Sequence, residues 1–105
     1  NPILKTEQGW LITRNFNPYS KTRDHFLVVG QKHKKRITEL TPKDFVAILK
    51  LIQWAATKFS LPGGLLALRF GDTEYTGATV SHLHVHLVIP EKKDGKGQVV
   101  TYPIG

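Results

Sequence analysis

The stretch Ser81-His82-Leu83-His84-Val85-His86-Leu87-Val88-Ile89-Pro90 constrains the fold more than any other part of the chain. Histidine alternates with aliphatic residues, and a strand turns successive side chains to opposite faces. Residues 81–89 therefore read as a strand bounded by Pro90, with His82, His84 and His86 on one face and Leu83, Val85 and Leu87 on the other. One buried histidine bonded to a carbonyl is ordinary. Three adjacent imidazoles on one sheet face crowd costly polar groups together, unless a ligand, metal or anion uses them.

The rest of the chain supplies partners for such a strand. Residues 10–16 and 25–29 read as strands, the first stopped by Asn17-Pro18 and the second by Gly30. A basic loop follows over 31–36. Thr41 can cap a helix, Pro42 suits its first position, and Asp44 lies where the free amides point. Apolar residues at Phe45, Ile48, Leu49, Ile52, Ala55, Ala56 and Phe59 then paint one helical face before Leu61-Pro62-Gly63-Gly64 ends it. Residues 65–70 read as a third strand, 71–77 as turn-rich, 91–97 as a turn and 98–102 as a last strand. One long helix among about five strands predicts an α+β domain with a mostly antiparallel sheet.

Composition narrows the setting. The 105 residues fit one domain spanning 1–105, and no apolar run approaches the ~20 residues needed to cross a bilayer. There is no cysteine, which removes disulfides, thiolate ligands and cysteine nucleophiles, and is compatible with a reducing cytoplasm. The net charge of +7 favours an anionic ligand without identifying it.

Two chemistries suit the imidazoles. Alternating strand histidines can supply two or three ligands to zinc and leave a position for water. Alternatively, one neutral imidazole attacks phosphorus while its neighbours hold phosphate oxygens and orient the attacking ring.

Here the sequence resembles the histidine-triad (HIT) superfamily. His82-Leu83-His84-Val85-His86-Leu87-Val88 looks like its signature, and Asp24-His25-Phe26-Leu27-Val28-Val29-Gly30-Gln31-Lys32-His33 is similar to its earlier strand and turn. Asn17, eight residues before His25, matches the residue that contacts the ribose, and Gly77-Ala78-Thr79-Val80 leads into the triad as the family's own run does. The resemblance spans about residues 10–90.

It implies a HIT-like fold with one long helix and a short one, and a nucleotide substrate cleaved at its α-phosphate, either a nucleoside phosphoramidate or a dinucleoside polyphosphate. His84 becomes the nucleophile of a covalent nucleotidyl-histidine, resolved by water or another acceptor. A backbone carbonyl near His82 fixes the tautomer of His84, His86 donates to phosphate oxygens, and His25 completes the polar wall. Asn17, Thr79, Gly77 and Asp72 are the expected nucleotide contacts, although Asn17 also suits a plain turn. The resemblance implies a homodimer and calls for no cofactor and no metal.

Three positions depart from the family pattern. Ala78 stands where glutamine is usual, Gly71 where an amide residue is common, and Gly30 where proline follows the second strand. His33, in the basic loop, is read as solvated. Two other functions are open on the residues alone: a zinc-dependent hydrolase using the His-x-His-x-His strand, and a non-catalytic nucleotide-binding or nucleic-acid-associated module. Nucleic acid ranks low, because superfamily members acting on adenylated DNA ends carry a zinc-finger segment and this chain has no cysteine.

Overall fold

The computed structural model describes residues 2–80 and 82–105. Its elements run β1 (Ile3–Glu7), β2 (Trp10–Arg14), β3 (Thr22–Gly30), α1 (Pro42–Lys58), β4 (Leu65–Arg69), α2 (Thr73–Thr76), β5 (His84–Pro90) and a small hairpin, β6 (Lys92–Lys93) and β7 (Lys96–Gly97). The five long strands form one sheet in the order β1-β2-β3-β5-β4, every pair antiparallel. The fold is the expected α+β architecture, a five-stranded antiparallel sheet with one long helix and a short one.

The period-two pattern divides the sheet. Trp10 and Ile12 of β2, Phe26 and Val28 of β3, and Val85, Leu87 and Ile89 of β5 share one face and pack against Ala47, Ile48, Leu51 and Ala55 of α1. Phe26, Ile12 and Val28 are wholly buried there, each worth about 1.5–3 kcal/mol of transfer from water. The other face carries His25 on β3 and His84 and His86 on β5, with Arg69 of β4 directly across from His84. Hydrocarbon is thus spent on the helix side, leaving the opposite side free for polar chemistry.

Asp44 ties the helix to the sheet. It completes a capping box with Thr41, accepting from the Thr41 amide at 2.8 Å. It also accepts from the indole of buried Trp10 at 3.0 Å and from Lys34 at 2.9 Å. Burial pushes its carboxyl upward, but the bonds from Lys34, the Thr41 amide and Trp10 outweigh it and hold the group well below the usual carboxylate range. Asp44→Ala removes the cap and strands a buried indole N–H, an expected loss of about 2–4 kcal/mol. Urea denaturation checks this, and a loss below about 1 kcal/mol contradicts the role.

Several boundaries differ from the sequence reading. β1 was not expected; its Ile3, Lys5 and Glu7 carry little apolar signal, and pairing with β2 makes the strand. β3 starts three residues earlier than expected and keeps Gly30. Residues 98–102 form no strand; the pairing goes instead to the β6–β7 hairpin inside the expected turn. β5 begins at His84, so His82 precedes the strand, and Ser81 lies outside the described residues. The turn-rich segment contains α2, capped by Asp72 and closed by Gly77.

Candidate active site

His84 and His86 project from β5 onto the open face, their rings 4.9 Å apart. His25 reaches them from β3, since His25 pairs with Val88 and Leu27 with His86 in the ladder. Its Nε2 lies 2.8 Å from His86 Nδ1. His82 sits just before the strand, 6.2 Å from His84 between ring centroids. The basic loop anchors this approach, with the Leu83 amide donating to the Lys34 carbonyl at 2.6 Å and the Gly71 amide to Lys35 at 2.8 Å. His33, exposed on that loop as its basic surroundings imply, lies 5.1 Å from the His82 ring.

The hydrogen bonds settle each tautomer in turn. The amide of Tyr19 donates to His25 Nδ1 at 3.1 Å, so that nitrogen is an acceptor and the proton of neutral His25 is on Nε2. His25 Nε2–H must then donate to His86 Nδ1, which leaves the proton of neutral His86 on its own Nε2. That Nε2 is buried without a partner, a donor held ready. His84 Nδ1 lies 3.0 Å from the His82 carbonyl and donates to it. The remaining nitrogen of His84, Nε2, therefore carries a lone pair. The chain has built an acceptor and a donor side by side.

Charge follows the same logic. Burial lowers His25 to about 4. Burial, then the neighbouring His84, His25 and Arg69, lowers His86 to about 3. His84 is also lowered, by burial first; the His82 carbonyl opposes this, and the charges of Arg69 and His82 add to it. At neutral pH these three rings are uncharged.

Three of the expected accessory residues, Asp72, Gly77 and Asn17, sit at helix ends or in a turn. Asp72 accepts from the Glu74 amide at 2.9 Å and starts α2. Gly77 ends α2 at a φ of +71°, a left-handed conformation that an L side chain resists, and an added Cβ would meet the Gly105 carbonyl oxygen at 2.5 Å. Thr79 is exposed. Asn17 is exposed and its amide donates to Asn15 Oδ1 at 2.9 Å, a local turn contact. Asn15 lies beside His25, its Nδ2 3.3 and 3.5 Å from the two ring nitrogens.

Three further residues at the site escaped the sequence reading. Tyr19 lies nearly parallel to His86 at 5.7 Å and 14°. Tyr102, in the segment after β7, sets its ring edge-on to His86 at 5.3 Å and to Tyr19 at 5.4 Å. Arg69 is buried beside them. The available signal was parity: Arg69 ends an apolar strand, where a buried arginine has to face something polar. Among the described residues, no three or more histidine or carboxylate groups are placed to hold one metal ion. None of the described helices is long and apolar enough to cross a membrane.

An antiparallel sheet with a long helix on one face and imidazoles at alternate strand positions on the other defines a histidine-strand domain. The chain belongs to the HIT family, whose HIT domain profile matches residues 3–94. Solved structures share the fold. A "Hit Like Protein" superposes with a TM-score of 0.69 at 22% identity, covering 87% of this chain and 89% of that one. A histidine triad nucleotide-binding protein from Candida albicans gives 0.70 at 20% identity, covering 100% and 77%. A diadenosine triphosphate hydrolase from Plasmodium falciparum gives 0.65 at 22%, covering 88% and 62%. No curated protein matches the sequence.

Proposed function

We propose that the chain is a nucleotide hydrolase or nucleotidyl transferase that cleaves at the α-phosphate of nucleoside phosphoramidates or dinucleoside polyphosphates. One observation carries the reading: His84 gives its Nδ1–H to the His82 carbonyl and keeps an uncharged, unshared electron pair on Nε2. That nitrogen attacks phosphorus. A P–N bond forms, the bond to the leaving group breaks, and the leaving group departs with the electron pair. Water then displaces His84 and releases the nucleoside monophosphate. The Nε2–H of His86 meets a non-bridging oxygen as charge builds there, and His25 holds His86 in the donating tautomer.

Asn17, Thr79, Gly77 and Asp72 serve in this reading as the nucleotide contacts, with Asp72 and Gly77 fixing the backbone of the 72–79 turn. The two solved relatives named for nucleotide chemistry support the substrate class by analogy. A homodimer agrees with the free outer edge of β4, where Leu65 and Leu66 are half exposed. A cytoplasmic setting agrees with the absence of cysteine.

The test is to trap the intermediate. A nucleotide labelled at the α-phosphate is mixed with the protein and quenched in alkaline detergent, since phosphorus–imidazole bonds are labile in acid. Label on the peptide that carries His84, lost in His84→Ala, is the expected result. Turnover without any bound label means that water attacks directly and the covalent reading is wrong.

A further inference from the structure

Three buried side-chain polar atoms without a hydrogen-bond partner, Arg69 Nε, His86 Nε2 and Tyr102 Oη, belong to residues grouped around the Tyr102 ring. The Tyr102 ring meets His86 at 5.3 Å, and the Arg69 guanidinium lies 5.2 Å from the same ring. Arg69 is the cross-strand partner of His84 and shares its face. Its Nη1 donates to the Thr76 carbonyl at 2.7 Å, and its Nη2 donates to the Pro103 carbonyl at 2.7 Å and the Tyr19 hydroxyl at 3.3 Å. All of these acceptors are neutral. No carboxylate among the described residues pairs with Arg69, although only 8% of it is exposed. A buried cation without a counter-charge is costly, and the cost is recovered when an anion arrives.

We propose that Arg69 binds an anionic leaving group, a phosphate or sulfate joined to the α-phosphorus through a bridging oxygen; this rests on the reading of His84 as nucleophile. In the transfer step the His84 Nε2–phosphorus bond forms and the phosphorus–bridging oxygen bond breaks. The electron pair passes to that oxygen, so the phosphate or sulfate leaves with one more negative charge and needs no proton. Arg69 offers this charge a fixed guanidinium whose Nε–H is still unused. An amine leaving group has the opposite requirement, since it must be protonated as it departs. The site is poorly equipped for that, because Arg69 holds its proton and His25, His84 and His86 are all uncharged near neutrality. The geometry thus selects among the substrates left open above. The 72–79 turn and the segment ending at Pro103 are also tied to the same guanidinium, so the leaving-group side is shaped by one residue.

The experiment compares two nucleotides that differ only in what leaves, a nucleoside 5′-phosphosulfate and a nucleoside 5′-phosphoramidate of a simple amine. Arg69→Gln should lower kcat on the phosphosulfate by about 10²-fold and on the phosphoramidate by less than about 5-fold, with Arg69→Lys recovering about tenfold of the loss. Equal losses on both substrates, or no loss on either, overturn the proposal. If Arg69→Gln does not fold by circular dichroism, Arg69→Lys decides by the same comparison: a selective loss on the phosphosulfate supports the role and an equal loss overturns it. Failure here is distinct from failure of the nucleophile. Label still trapped on His84 without leaving-group selectivity sinks only the Arg69 assignment, whereas absent label in the parent protein sinks the reading beneath it.

Discussion

His84→Ala should lower kcat for hydrolysis of any nucleotide substrate by on the order of 10⁴-fold while leaving KM within about tenfold, because the nucleophile makes its bond only during the chemical step. The neighbouring substitutions rank by what each ring contributes. His86→Ala removes a single donor aimed at developing charge, and about 10²–10³-fold is expected. His82→Ala should cost less than about tenfold, since His84 is held by the backbone carbonyl of residue 82 and not by its imidazole. Steady-state rates on a dinucleoside polyphosphate and a nucleoside phosphoramidate check the series. Parental turnover by His84→Ala would remove the nucleophile from the mechanism. A large loss on His82→Ala with a small one on His84→Ala would mean the wrong ring had been chosen.

The series also shows where sequence pattern was sufficient. Alternation along residues 82–88 is a statement about side-chain direction, so the shared face of His84 and His86 follows from period alone. The same holds for α1, whose cap, first proline and apolar stripe are all local features. Elements held by pairing were not legible in this way. β1 exists because β2 offers it an edge, and residues 98–102 form no strand. The side chains gathered around His86 and Tyr102 were not legible for a related reason. Tyr19, Tyr102 and Arg69 come from three separate segments, and nothing in the immediate neighbours of the two tyrosines marks them as meeting His86. Asn15 was hidden inside an apparent strand ending at 16, while Asn17 carried the familiar spacing.

What unites these residues is a hydrogen-bond relay that begins outside the triad. The Tyr19 amide decides the proton on His25, His25 decides that on His86, and His86 is left with a buried donor that has no partner. A chain of neutral rings ordered in this way works only while no ring takes an extra proton. If His25 is protonated at Nδ1, the Tyr19 amide faces another N–H. If His86 is protonated at Nδ1, His25 does. The same relay therefore sets the acid limit of the fold.

Acid should destabilise the protein steeply between about pH 6.5 and 4, before its carboxylates titrate. The sign follows from the depressed values. His25 and His86 bind protons in the folded chain only near about 4 and about 3, whereas in the unfolded chain they do so near the ordinary ~6.5. Below ~6.5 the unfolded state binds more protons, so stability that is fully present above that value drains away as pH falls toward the folded values. For His25 alone the loss by pH 4 is about 3 kcal/mol, with a comparable share from His86, against a typical domain stability of about 5–15 kcal/mol. Asp44 carries the opposite kind of linkage, with a carboxyl held low and stability lost only below its unfolded value of ~3.9, so measurements above about pH 4.5 isolate the histidines. Urea midpoints taken each half unit from pH 7.5 to 4.5 should slide downward throughout that lower range. In His25→Gln the starting stability is lower, but the slope should fall by up to about 1.4 kcal/mol per pH unit, one proton's worth. An unchanged slope would mean that His25 is not the buried neutral ring from which the relay, and with it the donor on His86, is built.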